Sequence, residues 1–560
     1  MKITSVQIRN FRGIKSLDLE LGETTVLVGE NNTGKTSVMD ALRMCLEDIE
    51  PRNRIVFDAL DFHLPTDSSE PTSTDPIEIT VTFSERFKGE WGIKIERLVG
   101  EYRIIQWQLG DIKTIQLHLQ CFYDSYNSEF VQTWSFIDQN GNKSDDIPRF
   151  VFAEFSQLFQ YYYLGALRDA AQHFDESGPF WKPFLINSQL SKKNREEIES
   201  KLVEINDLIV ASHASFENVM VRLRELQSLV LLAQDDVVSV DAVPSRMFDI
   251  LSRAQVQIRS KTGAMIPLVR HGEGTQSLSV LMLFSAFFDS HSKSTIFLAL
   301  EEPEAHLHPS AIRILWKILQ TYANQRLIST HSGELLAEVD IHDIRRLSQS
   351  SDGIKVHQVP LGLLSREESR KFNSHIRRAQ SGLLYARCWL LVEGETESWI
   401  YPSAALALGW NLHDEGIRIV EYQQSDIAML AKIGDALGIL WYCVGDDDEN
   451  RKKVEKKLLP IISDRDLNEK MEFPYPNIET NLLQHGYDQV YAQYVTDLRL
   501  PKKSSDESGY WEEYAKSIPK RSKTKAAADV AVLMEDQGEA GVPPQIRFVL
   551  EKLRHISQGG

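Results

Sequence analysis

Short, unbroken apolar runs alternate with amphipathic stretches along this chain. Thr24–Val28 (TTVLV) is a β-branched run, followed after a glycine-rich turn by the helix-patterned SVMDALRMCLED. Ser294–Leu300 (STIFLAL), Arg326–Ser329, Arg387–Val392 (RCWLLV) and Gly438–Val444 (GILWYCV) are further runs of this kind, and GIRIVEY lies between the last two. Runs without polar alternation are expected of strands covered on both faces of a parallel sheet. Residues 194–232 follow a different rule. Ile198, Leu202, Ile205 and Ile209 are spaced by four, three and four, and Val219, Leu223, Leu226 and Val230 repeat the spacing. This predicts two antiparallel helices with heptad-like seams, packed on their own domain or forming a dimer contact. The polar segment RKFNSHIRRAQSGLLYA reads as a connector near residue 370. Strands alternating with helices make the expected class α/β.

Composition narrows the picture. At ~150 residues per domain, 560 residues predict three to four domains. Hydrophobic content of 42% and charged content of 25% exclude disorder as the main state. A net charge of −18 disfavours a generally basic nucleic-acid coat protein, so any nucleic-acid contact must use local basic patches or metal ions. Cys45, Cys121, Cys388 and Cys443 are scattered without zinc spacing and read as reduced thiols. The longest apolar run, Ser279–Phe288, is about half a membrane span of ~20 residues. The start MKITSVQIRNFRG lacks the core of a signal peptide, so a cytoplasmic protein with no membrane partner is expected.

Gly29-Glu30-Asn31-Asn32-Thr33-Gly34-Lys35-Thr36 matches GxxxxGK[ST] in full, between a predicted strand and a predicted helix. Loop amides at Gly29, Asn31, Asn32 and Gly34 would face phosphates, Lys35 would reach the outer ones, and Thr36 would hold Mg²⁺. The run STIFLAL ends in Glu301-Glu302, the paired carboxylates a Walker B site needs. Glu301 would support the magnesium shell and Glu302 position a water. A further strand ends at Thr330-His331-Ser332, where His331 can touch a γ-phosphate. About 265 residues separate Thr36 from Glu301, too many for a compact GTPase.

This spacing suits an ABC ATPase, and ITSVQIRNFRGIKSLDLEL, centred on Phe11-Arg12-Gly13, resembles the first strands of SMC/RecF-like ABC ATPases. The resemblance implies ATP sandwiched between two copies, the partner's site being completed by a glycine-bearing signature. Gly272-Glu273-Gly274-Thr275-Gln276-Ser277 is the best candidate, so Gly272 and Gly274 are expected at nucleotide. It departs from Leu-Ser-Gly-Gly, which leaves open whether ATP is hydrolysed quickly or mainly sensed. The sequence shows no clear Q-loop; Asp61-Phe62-His63 stands in a plausible place for one and no more.

A second constellation follows. RCWLLV ends in Glu393-Gly394-Glu395-Thr396-Glu397, and a helix starting at the glycine would set Glu397 one turn in, facing the pocket that Glu393 enters from the strand end. GILWYCV ends in Gly445-Asp446-Asp447-Asp448, where Asp446 and Asp448 can converge on one metal. Glu479 stands at a predicted helix start. Carboxylates from three segments suit Mg²⁺ or Mn²⁺. Two such ions ~4 Å apart would activate a water and stabilise the leaving oxygen of a phosphodiester.

The pair of acidic motifs resembles a Toprim domain. An ABC-type ATPase followed by Toprim in one chain resembles the OLD (overcoming lysogenization defect) nucleases, a family that includes the Gabija nuclease subunit and retron-linked proteins. That resemblance implies an ATP-regulated DNA endonuclease or nickase using two metals, commonly in bacterial anti-phage defence. Its further implications are a homodimer or higher homo-oligomer and a second defence protein, such as a helicase or retron component. It implies that Glu393, Asp446 and Asp448 hold one metal and that Glu397 with Glu479 hold the other. It also implies an active-site lysine, for which PKRSKTKAAADVA offers Lys523 or Lys525. Gln423-Gln424-Ser425 stands where relatives often have glycine. The expected organisation is an ATPase domain over 1–370 with a helical insertion at about 190–240, a Toprim domain over 380–490, and a basic, helical extension over 491–560 completing its site. Arg499–Lys525 is the densest late basic stretch and the expected DNA contact. The rival readings are a topoisomerase- or primase-like Toprim enzyme, for which no separate tyrosine-bearing DNA-binding domain is visible, and a non-catalytic SMC-like DNA clamp.

Overall fold

The computed structural model describes residues 1–165, 192–212, 257–259, 265–267, 272 and 295–558, apart from short stretches at 48, 50–56, 67–68, 101, 109–110, 145–146, 306, 323, 351–352, 379–381, 424, 463–468 and 496–502. It divides into two compact units, one of Met1–Tyr163, His291–Glu304 and Ile312–Gly560, the other of Leu164–Ser290 with Ala305–Ala311.

The first unit holds three sheets. The N-terminal sheet is antiparallel: Lys2–Phe11 pairs on one side with Ile14–Glu20 and on the other with Ile77–Ser84, which leads through Ile112–Asp124 to Glu129–Ile137. The Phe11-Arg12-Gly13 turn closes the first hairpin. Phe11 is fully buried, while Arg12 donates to Asp40 on the first helix at 2.5 Å and to Asp61 at 2.8 Å. His63 Nδ1 lies 2.8 Å from the Arg12 carbonyl. The Asp61–His63 segment is thus engaged with Arg12.

The second sheet has the order Gly353–His357, Ile344–Ser350, Thr24–Val28, Gln325–Ser329, Thr295–Glu301, Phe159–Leu164. Its four middle strands are parallel, with Leu27 beside Ser329 and Ser329 beside Glu301. This register brings the phosphate loop, the paired carboxylates and the Thr330–His331 turn to one sheet edge, the arrangement of an ABC-type ATPase core. Thr24–Val28 forms a strand at the bounds its pattern predicts, buried at every position. The carboxylate strand runs one residue later than its apolar run because Glu301 still pairs with Ser329.

The third sheet is wholly parallel, ordered Ile417–Glu421, Cys388–Val392, Leu440–Val444, Met471–Glu472. The central Cys388–Val392 strand is buried throughout. Helix Glu395–Ala407 packs against Lys520–Gln537, and both contribute small buried side chains to one core, Ala404 and Ala405 from the first and Ala526, Ala527 and Ala531 from the second. Small side chains let the two helices approach closely. The last helix, Pro544–Ser557, joins the same core through Ile546, Val549, Leu550 and Leu553. The chain beyond residue 510 is therefore structurally part of the Toprim-like domain.

Arg346 ties the second and third sheets together. It is 4% exposed and donates to the carbonyls of Leu384, Ala386, Leu437 and Gly438 at 2.9–3.2 Å, with burial holding its guanidinium down at about 10. Arg346→Ala would leave four carbonyls without this donor, and we expect a loss of about 3 kcal/mol in urea denaturation.

The second unit includes helix Lys192–Ser212 and the two-stranded pair Gln257–Arg259 with Met265–Pro267. Along the helix, Ile198, Leu202 and Ile209 are half-buried and Ile205 is 47% exposed, so the predicted seam is only partly covered. Its predicted partner helix (Val219, Leu223, Leu226, Val230), the run Ser279–Phe288 and Gly274 lie outside the described residues, whereas Gly272 is described and exposed.

All four cysteines are free and buried, and burial pushes every thiol up, Cys121 and Cys388 to about 12. Among the described residues, no helix is long and apolar enough to cross a membrane.

Candidate active site

The phosphate loop is shaped by backbone that only glycine tolerates. Gly29 and Gly34 have φ of 154° and 84°. A Cβ at Gly29 would stand 2.5 Å from the Leu347 carbonyl, and one at Gly34 would stand 2.6 Å from Ile354. Asn32, also at positive φ, is exposed on the loop with Asn31. Lys35 folds back to donate to the carbonyls of Gly29 and Glu30, each at 2.8 Å. Burial lowers its pKa, against the pull of Glu302, Glu301 and Glu30. The Thr36 hydroxyl donates to Glu301 Oε1, and the Tyr163 hydroxyl donates to Oε2 at 2.9 Å. Glu301 is thus gripped from both sides beside the loop.

Glu302 adopts φ 44°, a left-handed conformation costly for a residue with a side chain. Its carboxylate faces His331 Nε2 at 3.7 Å. Burial and the nearby Lys35 lower the His331 pKa, while Glu302 raises it.

Glu304 was not singled out from the sequence. Its Oε1 accepts the Thr330 hydroxyl and the amides of His331 and Ser332 at 3.1 and 3.2 Å, so it fixes the His331 turn. Its Oε2 is buried with no hydrogen-bond partner among the described residues, and burial pushes its pKa up. The signal was available, since Glu304 is the third glutamate of Glu301-Glu302-Pro303-Glu304. Tyr163 gave no such signal, lying 138 residues from Glu301.

The second cluster sits where three parallel strands end. Glu393 follows Val392, and Glu397 occupies the third position of helix Glu395–Ala407, where its carboxylate reaches back to the Gly394 amide. Asp446 follows the Leu440–Val444 strand by one residue, and its Oδ1 accepts the Ile478 amide at 3.1 Å. Asp448 caps helix Glu449–Leu458, accepting from the Asn450 amide at 2.7 Å. Glu479 lies in the first turn of Ile478–Leu482, 4% exposed, with Lys523 Nζ 3.2 Å away. Lys525 instead sits over the Tyr494 ring at 5.8 Å, so Lys523 is the lysine brought to the cluster. Asn450, also not anticipated, donates to Glu393 Oε1 at 3.4 Å. Gln423 closes the rim: its amide donates to the Glu393 carbonyl at 3.2 Å, and its side chain stands 3.3 Å from where a Gly394 Cβ would be. Gln424 lies outside the described residues.

The five carboxylates feel one another. Burial, then repulsion from Glu397, Glu479, Glu393 and Asp448, pushes Asp446 up to about 9. Burial, with Glu479 and Glu393, pushes Glu397 up to about 8, and Glu393 is raised by burial and by Asp448 and Glu479, against Asn450 and Lys523. The set is gathered but not closed: among the described residues, no three His, Cys, Asp or Glu side chains stand so as to hold one ion. Asp446, Asp448 and Glu479 each engage a protein donor instead. An all-oxygen donor set with two buried acids raised this far nonetheless fits hard divalent cations.

Two family models match the chain. The family described as "Protein of unknown function (DUF2813)" matches residues 1–382, and "Overcoming lysogenization defect protein-like, TOPRIM domain" matches residues 384–448. The chain is 25% identical to the uncharacterized protein YbjD of Escherichia coli (strain K12) over 585 residues, covering 100% of both. It is 26% identical to the OLD nuclease of Thermus scotoductus, over 81% of this chain and 85% of that protein. Endonuclease GajA of Bacillus cereus is 23% identical, over 82% of this chain and 78% of its own.

Proposed function

We propose, from the premise that this chain belongs to the DUF2813 family and continues into an OLD-like Toprim domain, that it is a divalent-metal-dependent DNA endonuclease or nickase governed by ATP. The observation that carries this reading is the gathering of Glu393, Glu397, Asp446, Asp448 and Glu479 beside Lys523, with their charges mutually unfavourable until cations neutralise them. Relatives named OLD nuclease and endonuclease support the same chemistry.

Glu393, Asp446 and Asp448 would hold one Mg²⁺ or Mn²⁺, and Glu397 with Glu479 the other. Such ions supply the positive charge that polarises a phosphodiester and a water. Lys523 leaves Glu479 to face the phosphate and offset the charge that grows as the bond breaks. Asn450 orients Glu393, and the basic stretch Arg499–Lys525 positions the DNA backbone without reading sequence. At the ATP site, the amides of Gly29, Asn31, Asn32 and Gly34 cradle the phosphates, and Lys35 exchanges its two carbonyl partners for phosphate oxygens. Thr36 and Glu301 would hold Mg²⁺, and Glu302 and His331 would be available to the γ-phosphate. A second copy of the chain completes this site through Gly272 and Gly274. The setting is bacterial anti-phage defence in the cytoplasm, alongside a second defence protein.

A supercoiled-plasmid assay tests the reading. Nicked or linear product is expected with Mg²⁺ or Mn²⁺ and none with EDTA, and ATP should change the rate. Intact plasmid under every condition would refute it.

A further inference from the structure

We infer that Gly382–Arg387 is a strut through which the ATP site acts on the Toprim carboxylates, with Tyr385 and Arg387 as its two points of attachment. The inference rests on the ATP-governed nuclease reading and names the residues through which that control passes.

Both attachments touch elements that the proposed function places at the nucleotide phosphates. The Tyr385 ring stacks on His331 with centroids 5.3 Å apart and planes 21° from parallel, and its hydroxyl donates to the Thr330 carbonyl at 2.8 Å. The Arg387 guanidinium grips Glu30 of the phosphate loop with two bonds, 2.7 Å to Oε1 and 3.2 Å to Oε2. Glu30 is also where Lys35 rests, donating to its main-chain carbonyl. A phosphate that draws Lys35 away from Glu30, and a γ-phosphate that engages His331, would each load the strut directly.

The other end of the strut is the root of both acid-bearing strands. Arg387 takes the Gly416 carbonyl at 2.8 Å, and its own carbonyl accepts the Leu440 amide at 3.0 Å. The next residue opens the Cys388–Val392 strand that ends at Glu393, and Leu440 opens the strand that ends before Asp446. The strut itself is stiff. Arg346 holds the carbonyls of Leu384 and Ala386, and the buried Trp389 indole donates to the Leu383 carbonyl at 2.9 Å. Parallel strands packed in one core move as units, so a shift at residue 387 reaches the positions of Glu393 and Asp446 together.

Stability does not account for the Arg387–Glu30 pair. Its side chains are 51% and 37% exposed, and pairs that open to water contribute little to folding. Its placement between the two sites is the feature to explain.

The test uses the full chain carrying Arg387→Ala, Arg387→Lys or Tyr385→Leu. Plasmid cleavage is measured with Mg²⁺, with and without ATP. Hydrogen exchange of the amides of residues 386–393 and 440–446 is followed with and without a non-hydrolysable ATP analogue. In the unaltered protein, the analogue should change exchange in both strands. Arg387→Ala and Tyr385→Leu should cut at the unaltered rate without ATP. Their ratio of rates with and without ATP should move toward one by at least about fivefold, and exchange should stop responding. Arg387→Lys should restore part of the response. ATP effects of unaltered size in both replacements, or strands in the unaltered protein that ignore the analogue, would overturn the inference. If no plasmid is cut under any condition, the nuclease reading fails while the exchange measurement still decides the strut.

Discussion

Asp446→Asn is expected to lower metal-dependent plasmid cleavage by at least about a hundredfold and, in EDTA at pH 8, to raise the melting temperature of the protein. The two effects share one cause. Asp446 is pushed up to about 9 by burial and by four neighbouring carboxylates, whereas in the unfolded chain an aspartate titrates near ~3.9. Between those values the folded chain without cations holds a proton that the unfolded chain has released. Stability therefore falls as pH rises through this window, by up to about 1.4 kcal/mol per pH unit. Asparagine keeps an oxygen for the Ile478 amide and never ionises, so its melting curve should flatten between pH 6 and 9. Thermal melts in EDTA across that range, beside the plasmid assay, check both halves. Retained cutting, or a variant that melts below the unaltered protein at pH 8, would contradict the assignment.

Lys35→Ala is expected to weaken ATP binding by at least about a hundredfold, read by titration with a fluorescent nucleotide. Lys35 is 9% exposed and its ammonium is already lowered in pKa by burial, so it is held there at a cost that phosphate oxygens would repay. Its present acceptors, the carbonyls of Gly29 and Glu30, are uncharged and yield readily to an anion. Affinity within threefold of the unaltered chain would contradict the phosphate-loop reading.

Why these two sites could be read ahead of the structure, and other features could not, follows from sequence distance. A strand buried on both faces must be apolar throughout, so Thr24–Val28 and Cys388–Val392 stand out as runs, and the polar residues that follow them mark a sheet edge. The two clusters are made of residues that end such runs: Lys35 and Thr36 after the loop, Glu301 and Glu302 after STIFLAL, Glu393 after RCWLLV, Asp446 after GILWYCV. Glu479 and Lys523 end no apolar run, and their meeting at 3.2 Å is a tertiary event. So are the grip of Tyr163 on Glu301 and the four carbonyls under Arg346, since neither a tyrosine nor an arginine announces its partner through spacing. The ion pair between Asp61 and Arg12 joins residues far apart in the chain and was equally unannounced by spacing. The state of the acidic cluster was likewise illegible, because repulsion between charges depends on how far their rotamers open, which no pattern encodes.

The sealed sulfurs of Cys45, Cys121, Cys388 and Cys443 have a practical corollary. Thiolate is the form that maleimides attack, and none of these four presents it to solvent. The native polypeptide is thus a blank background for site-directed probes: one cysteine introduced at an exposed position such as Tyr126, which is 94% accessible, becomes the single handle for a fluorophore or spin label. Interprobe ranging between such handles could then follow movement in this protein without first stripping it of its own sulfur chemistry.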